Sequence, residues 1–94
     1  MLIRRVVGRS MEPSLYDGRF VLARKKPPRV GDVVVALQNG REVVKRISSV
    51  QDDHYILLGD NGAHSTDSRT LGGVDRQNIR GVVVWPRLSN QKVK

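Results

Sequence analysis

Apolar and polar positions alternate over short runs along this chain, with a period near two rather than 3.6. Aliphatic, β-branched and aromatic residues gather at Leu2–Val7, Phe20–Ala23, Val33–Leu37, Val43–Ile47, Tyr55–Leu58 and Val82–Trp85. Turn-forming residues separate them: Pro13 to Gly18, Pro27-Pro28, Gly31-Asp32, Asn39-Gly40, Gln51 to Asp53, and Gly59 to Gly73. No window carries the i, i+3, i+4 pattern of an amphipathic helix. About six short strands with frequent turns predict an all-β fold, a small half-closed antiparallel β-barrel or coiled sheet.

The sharpest local signal is the hairpin "VVVALQNGREVVKRI". Asn-Gly between alternating apolar strands favours a two-residue type I′ loop, because both central residues need positive φ. With Asn39-Gly40 as that loop, Gln38 pairs with Arg41, Leu37 with Glu42, Ala36 with Val43, Val35 with Val44, and Val34 with Lys45. Side-chain alternation then places Lys45 on one face with Val43 and Ile47, opposite Val34. A lysine in the middle of an apolar strand face is unusual.

Length and composition narrow the field. Ninety-four residues suit one small domain, expected over residues 1–88 with a flexible tail at 89–94. With no cysteine there is neither a disulfide framework nor thiolate chemistry. Lys plus Arg number 17 against 9 Asp plus Glu, a formal charge of +8. That charge favours an anionic partner or surface, and peripheral contact with an anionic membrane is compatible with it. Four scattered aromatics make a poor base-stacking platform, so nucleic acid is a weaker expectation. No run reaches the roughly 20 apolar residues that span a bilayer, and arginines interrupt any secretory apolar core near the N-terminus. The chain as written is expected to be soluble or peripheral, and membrane-anchored only through a preceding segment.

Two segments hold chemistry. "GRSMEPSL" puts Ser10 before a proline-bearing turn, and "GDNGAHSTDSRTLGG" is a long irregular stretch dense in hydrogen-bonding groups. A serine hydroxyl needs a base before it attacks. A neutral lysine amine can serve, provided its pKa falls from about 10.4 towards about 7, a cost of roughly 4–5 kcal/mol. Desolvation on an apolar face supplies that fall. Ser10 and Lys45 are therefore a candidate dyad, with backbone N–H groups at the Ser10 turn for the oxyanion.

Blander readings stand beside each residue. Serines before turns often bond only their own backbone. A strand lysine can carry its amine out to water, and Asp67 with Arg69 can be a surface ion pair of little worth. A serine–histidine–aspartate triad is open to His54 or His64 with Asp60 or Asp67. A calcium loop beginning at Asp60 is excluded, because its twelfth position is Leu71 rather than glutamate. No metal or cofactor is expected.

Taken together, "GRSMEPSL", "VVKRI" and "GDNGAHSTDSRTLGGV" resemble, in order and spacing, the conserved blocks of type I signal peptidases, serine–lysine proteases with an all-β core. The resemblance runs from Gly8 to about Val84. It implies Ser10 as nucleophile, Lys45 as general base and Ser65 as the residue orienting the lysine amine. Asp67 and Arg69 resemble the pair that pins the loop, and Gly59, Asp60 and Asn61 its supporting scaffold. Met11 and Pro13 match residues shaping the turn, and Gly8 stands where many bacterial members carry a serine. Gly62 and Leu71 depart from the usual basic and aromatic residues, and the short span from Lys45 to Gly59 leaves out the additional β domain of larger members. The implied substrate is an extended segment of a preprotein or proprotein, cut after small residues. Small anchorless relatives that trim the propeptide of nickel superoxide dismutase are similar in size. Self-cleaving SOS-repressor domains share the G-x-S-M and lysine arrangement without the S-x-D-S-R loop. A non-catalytic basic β module binding nucleic acid or protein is the contrasting expectation.

Overall fold

The computed structural model describes residues 1–62 and 73–88. They contain seven strands: β1 Leu2–Arg5, β2 Phe20–Arg24, β3 Val33–Gln38, β4 Arg41–Gln51, β5 His54–Leu58, β6 Val74–Asp75 and β7 Ile79–Trp85. All pair antiparallel in a single sheet of order β1-β2-β7-β3-β4-β5-β6. The all-β expectation holds. The seventh strand, β6, is a two-residue pairing of Val74 and Asp75 with Tyr55 and His54, too short to leave a periodic trace. The β4 strand also outruns its apolar stretch, continuing past Ile47 through Ser48, Ser49 and Val50 to Gln51. The tail expected from Ser89 lies outside the described residues.

The β3–β4 hairpin has the register its sequence predicts, from Gln38 opposite Arg41 to Val34 opposite Lys45. Asn39 and Gly40 take φ of 53° and 76°, the positive values a two-residue loop of this twist requires. Because side chains alternate, β4 serves two cores. Ile47 joins Val34, Ala36, Leu57, Val74 and Val82 in one buried cluster, with Val43 packed against it. Val44 turns the other way, against Val6, Met11, Leu15, Val21 and Val33. Each fully buried aliphatic side chain contributes roughly 1.5–3 kcal/mol, so both faces of β4 are held firmly.

The sheet is not closed. Its edge strands are β1 and β6, yet it coils enough for Arg4 of β1 to form an ion pair with Glu42 of β4. The pairing of β4 also changes along its length. Arg46 to Gln51 pair with β5, whereas Arg41 to Lys45 pair only with β3 among the described residues. Two strand edges, that of β1 and that of the first half of β4, thus face each other. None of the described helices is long and apolar enough to cross a membrane.

Candidate active site

Ser10 sits on a compact turn between β1 and β2. Gly8 enters it at φ 92°, where a side chain would be strained, and its N–H donates to Asp17 Oδ1 at 2.8 Å. The Gly8 amide is therefore occupied. Beyond Ser10, the Glu12 N–H donates to the Arg9 carbonyl at 3.2 Å and the Leu15 N–H to the Met11 carbonyl at 2.9 Å. Met11 is fully buried with Leu15 in the second core cluster, which roots the turn. Pro13 follows a cis peptide bond from Glu12.

The segment after β5 closes on this turn. A Cβ on Gly59 would lie 2.4 Å from the Ser10 carbonyl oxygen, a distance only glycine permits. The Asn61 N–H donates to that same carbonyl at 2.8 Å, and its side-chain amide donates to the Arg9 carbonyl at 3.1 Å. Asp60 between them accepts from Arg46 Nε and Nη2, each at 2.8 Å, and from the Ser14 hydroxyl at 2.5 Å. Burial pushes the Asp60 carboxyl up, but the hydrogen bonds from Arg46 and Ser14 and the Arg46 charge outweigh it and hold the pKa below the usual carboxylate value. Arg46 is 3% exposed and also donates to the Gly31 carbonyl at 2.7 Å. Sequence reasoning missed Arg46 and Ser14 as structural parts of the site. The available signal was an arginine beside Lys45 in an apolar strand, which alternation sends to the opposite face.

Lys45 occupies the last position of β4 before β5 joins it, and is 8% exposed. Its neighbours on that face are Val43, Ile47 and Val34, as the register requires. Burial lowers the pKa of its amine from the ordinary lysine value. Lys45 and Ser10 line the same cleft, about 370 Å³, between Arg4–Val7 of the first strand region and Gln38–Lys45 of the hairpin. The structure thus places the two residues singled out as a dyad along one cleft.

His54 does not line that cleft; it pairs with Asp75 across β5 and β6 at 3.0 Å. Asp60 is committed to Arg46 and Ser14, so a triad of Ser10, His54 and Asp60 is not assembled. Ser65, Asp67 and Arg69, with His64, lie outside the described residues. Among the described residues no group of three or more His, Asp or Glu side chains is placed to hold a metal ion.

Comparison with known proteins gives a consistent direction. A family model described as Peptidase S24-like matches residues 1–84. A LexA repressor of Streptomyces coelicolor is 36% identical over 80 residues, covering 79% of this chain and 34% of the relative. A LexA repressor of Streptomyces avermitilis is 38% identical over 66 residues, 68% of this chain and 28% of the relative. The chain thus spans about a third of the length of these curated relatives. No solved structure matches it. The matching family is related to the type I signal peptidases but distinct from them. The S-x-D-S-R loop, which tips the motif resemblance towards the signal peptidases, is a short segment; the family match rests on most of the chain.

Proposed function

The chain belongs to the Peptidase S24-like family, a family of serine–lysine peptidase fold, and on that premise we propose that it is a serine endopeptidase cutting an extended peptide segment after a small residue. One observation carries this reading: Ser10 and a buried Lys45 of lowered pKa line one cleft. Its walls are strand edges with no neighbouring strand among the described residues. An extended peptide placed there adds a strand between β1 and β4, so that backbone hydrogen bonds supply affinity and side-chain pockets supply selectivity.

In the proposed mechanism the neutral Lys45 amine takes the Ser10 Oγ proton as Oγ bonds to the scissile carbonyl carbon. Backbone N–H groups of the Ser10 turn receive the oxyanion, with Gly8 offering no hydroxyl and its own amide already held by Asp17. Collapse breaks the C–N bond, and the lysine ammonium returns its proton to the departing amine. Water, deprotonated by the same amine, then releases the acyl group and restores Ser10. Asp60, Asn61 and Gly59 keep the serine turn in register with the lysine strand, and Ser65, Asp67 and Arg69 are assigned to orient the amine and fasten the loop.

The motif resemblance supports one substrate class, the N-terminal segment of a preprotein or proprotein, a signal peptide or a propeptide such as that of nickel superoxide dismutase. Relatives named LexA repressors, with the likeness to self-cleaving repressor domains, favour a second reading in which the cut segment belongs to the enzyme's own longer polypeptide. Dilution separates the two, since self-cleavage within one chain keeps its rate.

A quenched fluorogenic peptide with alanine before the cut tests the chemistry. Ser10→Ala and Lys45→Ala should each reduce kcat/KM by about 10³-fold or more, while His54→Ala retains activity. Full activity in Lys45→Ala, or loss only in His54→Ala, points to histidine as the base. No cleavage together with tight, steeply salt-dependent nucleic-acid binding establishes the non-catalytic basic module.

A further inference from the structure

We propose that the end of the cleft remote from Ser10 is a carboxylate-binding subsite built on Gln38 and Arg41, which selects substrates bearing Asp or Glu as the fifth residue before the cut. The proposal deepens the peptidase reading above and rests on it. It begins with an orphaned group. Gln38 ends β3, is 5% exposed and lines the cleft, yet its Nε2 has no hydrogen-bond partner among the described residues. Buried amide donors are nearly always paired; this one is occluded as it stands, and a turn of the Gln38 side chain towards the cleft would give it an acceptor seated there.

The register places this donor relative to the reacting bond. Val34 faces Lys45, Ala36 faces Val43, and Gln38 faces Arg41, three successive pairs on one side of the hairpin. At about 3.4 Å per residue, Arg41 lies roughly 14 Å along β4 from Lys45. An extended peptide covers that span in four residue steps, so with the residue before the cut beside Lys45 the fifth residue before the cut reaches Arg41, and alternation returns its side chain to the face shown to Lys45. With the small residues preceding the cut seated beside Lys45, the chain before them runs towards Gln38 and Arg41.

Charge settles which acceptor is favoured. Apart from Lys45, whose amine the mechanism uses neutral, the described residues lining the cleft include the cations Arg4, Arg5 and Arg41 against a single acid, Glu42. Glu42 is already taken on both sides, by Arg4 and by Arg80 at 3.4 Å. A neutral acceptor would satisfy Gln38 alone; a carboxylate also meets the cations around it, in a charge-assisted bond stronger than a neutral one. A lysine there would meet only like charge.

Four fluorogenic peptides that differ only at the fifth residue before the cut, as Glu, Gln, Ala or Lys, test this on the intact chain. The expected order of kcat/KM is Glu, Gln, Ala, Lys, with Glu about tenfold above Ala, and the Glu advantage shrinking as salt rises. Gln38→Leu and Arg41→Gln should each reduce the Glu-to-Ala ratio several-fold. The Ser10→Ala variant should bind the Glu peptide about tenfold tighter than the Ala peptide by fluorescence anisotropy, a readout independent of turnover. Ser10-dependent cleavage with equal rates for Glu and Ala overturns the subsite and leaves the peptidase intact. A Glu preference unchanged in both variants places the acid elsewhere and overturns it as well. Absence of any cleavage or binding removes both proposals.

Discussion

Asp60 grips Arg46 with both carboxylate oxygens, Oδ1 on Nε and Oδ2 on Nη2, each at 2.8 Å. The pair is buried, with side-chain exposures of 3% for Arg46 and 8% for Asp60. Arg46 belongs to the strand that carries Lys45, while Asp60 reaches the serine turn through Ser14 and is flanked by Gly59 and Asn61, which touch Ser10 itself. One ion pair thereby ties the two halves of the proposed dyad together.

Breaking it from one side should be costly. Asp60→Ala strands the Arg46 guanidinium in a dry setting, and losses of about 3–5 kcal/mol are typical of such changes. Urea unfolding should show that loss together with a fall in peptidase rate. A variant that unfolds like the parent means that Arg46 finds water or another acceptor.

The same carboxylate predicts an acid limb in stability. Its folded pKa lies below the unfolded value of about 3.9, so its contribution is present above that value and is lost as pH falls through the folded pKa. The urea midpoint should therefore fall below about pH 4, and that part of the fall should vanish in Asp60→Asn. An identical acid limb in both proteins would falsify the assignment.

For Lys45 the sign is opposite in charge but equally definite. Burial lowers its pKa, so the neutral amine is present at lower pH than for an ordinary lysine. The cleavage rate should rise with pH through a midpoint below about 10.4. Lys45→Arg, which keeps the charge and cannot lose its proton, should be inactive at every pH. A rate that is flat from about pH 5 to 10 speaks against a lysine base.

Two glycines separate folding from chemistry. At Gly40 there is open space but φ is 76°, so Gly40→Ala should cost about 1 kcal/mol of stability with cleavage largely retained. At Gly59 an added methyl meets the Ser10 carbonyl at 2.4 Å, so Gly59→Ala must displace the nucleophile's turn. It should lose about 1–3 kcal/mol and at least about tenfold in kcat, following the sensitivity of catalysis to small misplacement. Equal activity in the two variants would show that the turn tolerates the shift.

The hairpin was legible because its information is local: Asn39-Gly40 fixes the loop, and the loop fixes the register that buries Lys45. Ser10, Gly59 and Asn61 were legible as motif residues, though their contacts were not, since a close approach such as that of Gly59 to Ser10 depends on how the sheet coils. Arg46 and Ser14 escaped notice because polar residues reveal a buried partnership only once both ends are placed. β6 was invisible for a simpler reason, two residues being too few to show a period. The family resemblance was right in kind and displaced by one branch, because the motifs that carry it are short while the matched family model runs through residues 1–84.

The first half of β4, paired on one side only among the described residues, has a further consequence. An uncovered strand edge invites any extended chain, including another copy of itself, and proteins commonly guard such edges with charge. Arg41 and Glu42 stand on that stretch, with Arg4 opposite. Selectivity at the cleft and resistance to clumping are then two faces of a single electrostatic fence, so neutralising these residues to broaden what the protein accepts would also lower the concentration at which it stays in solution.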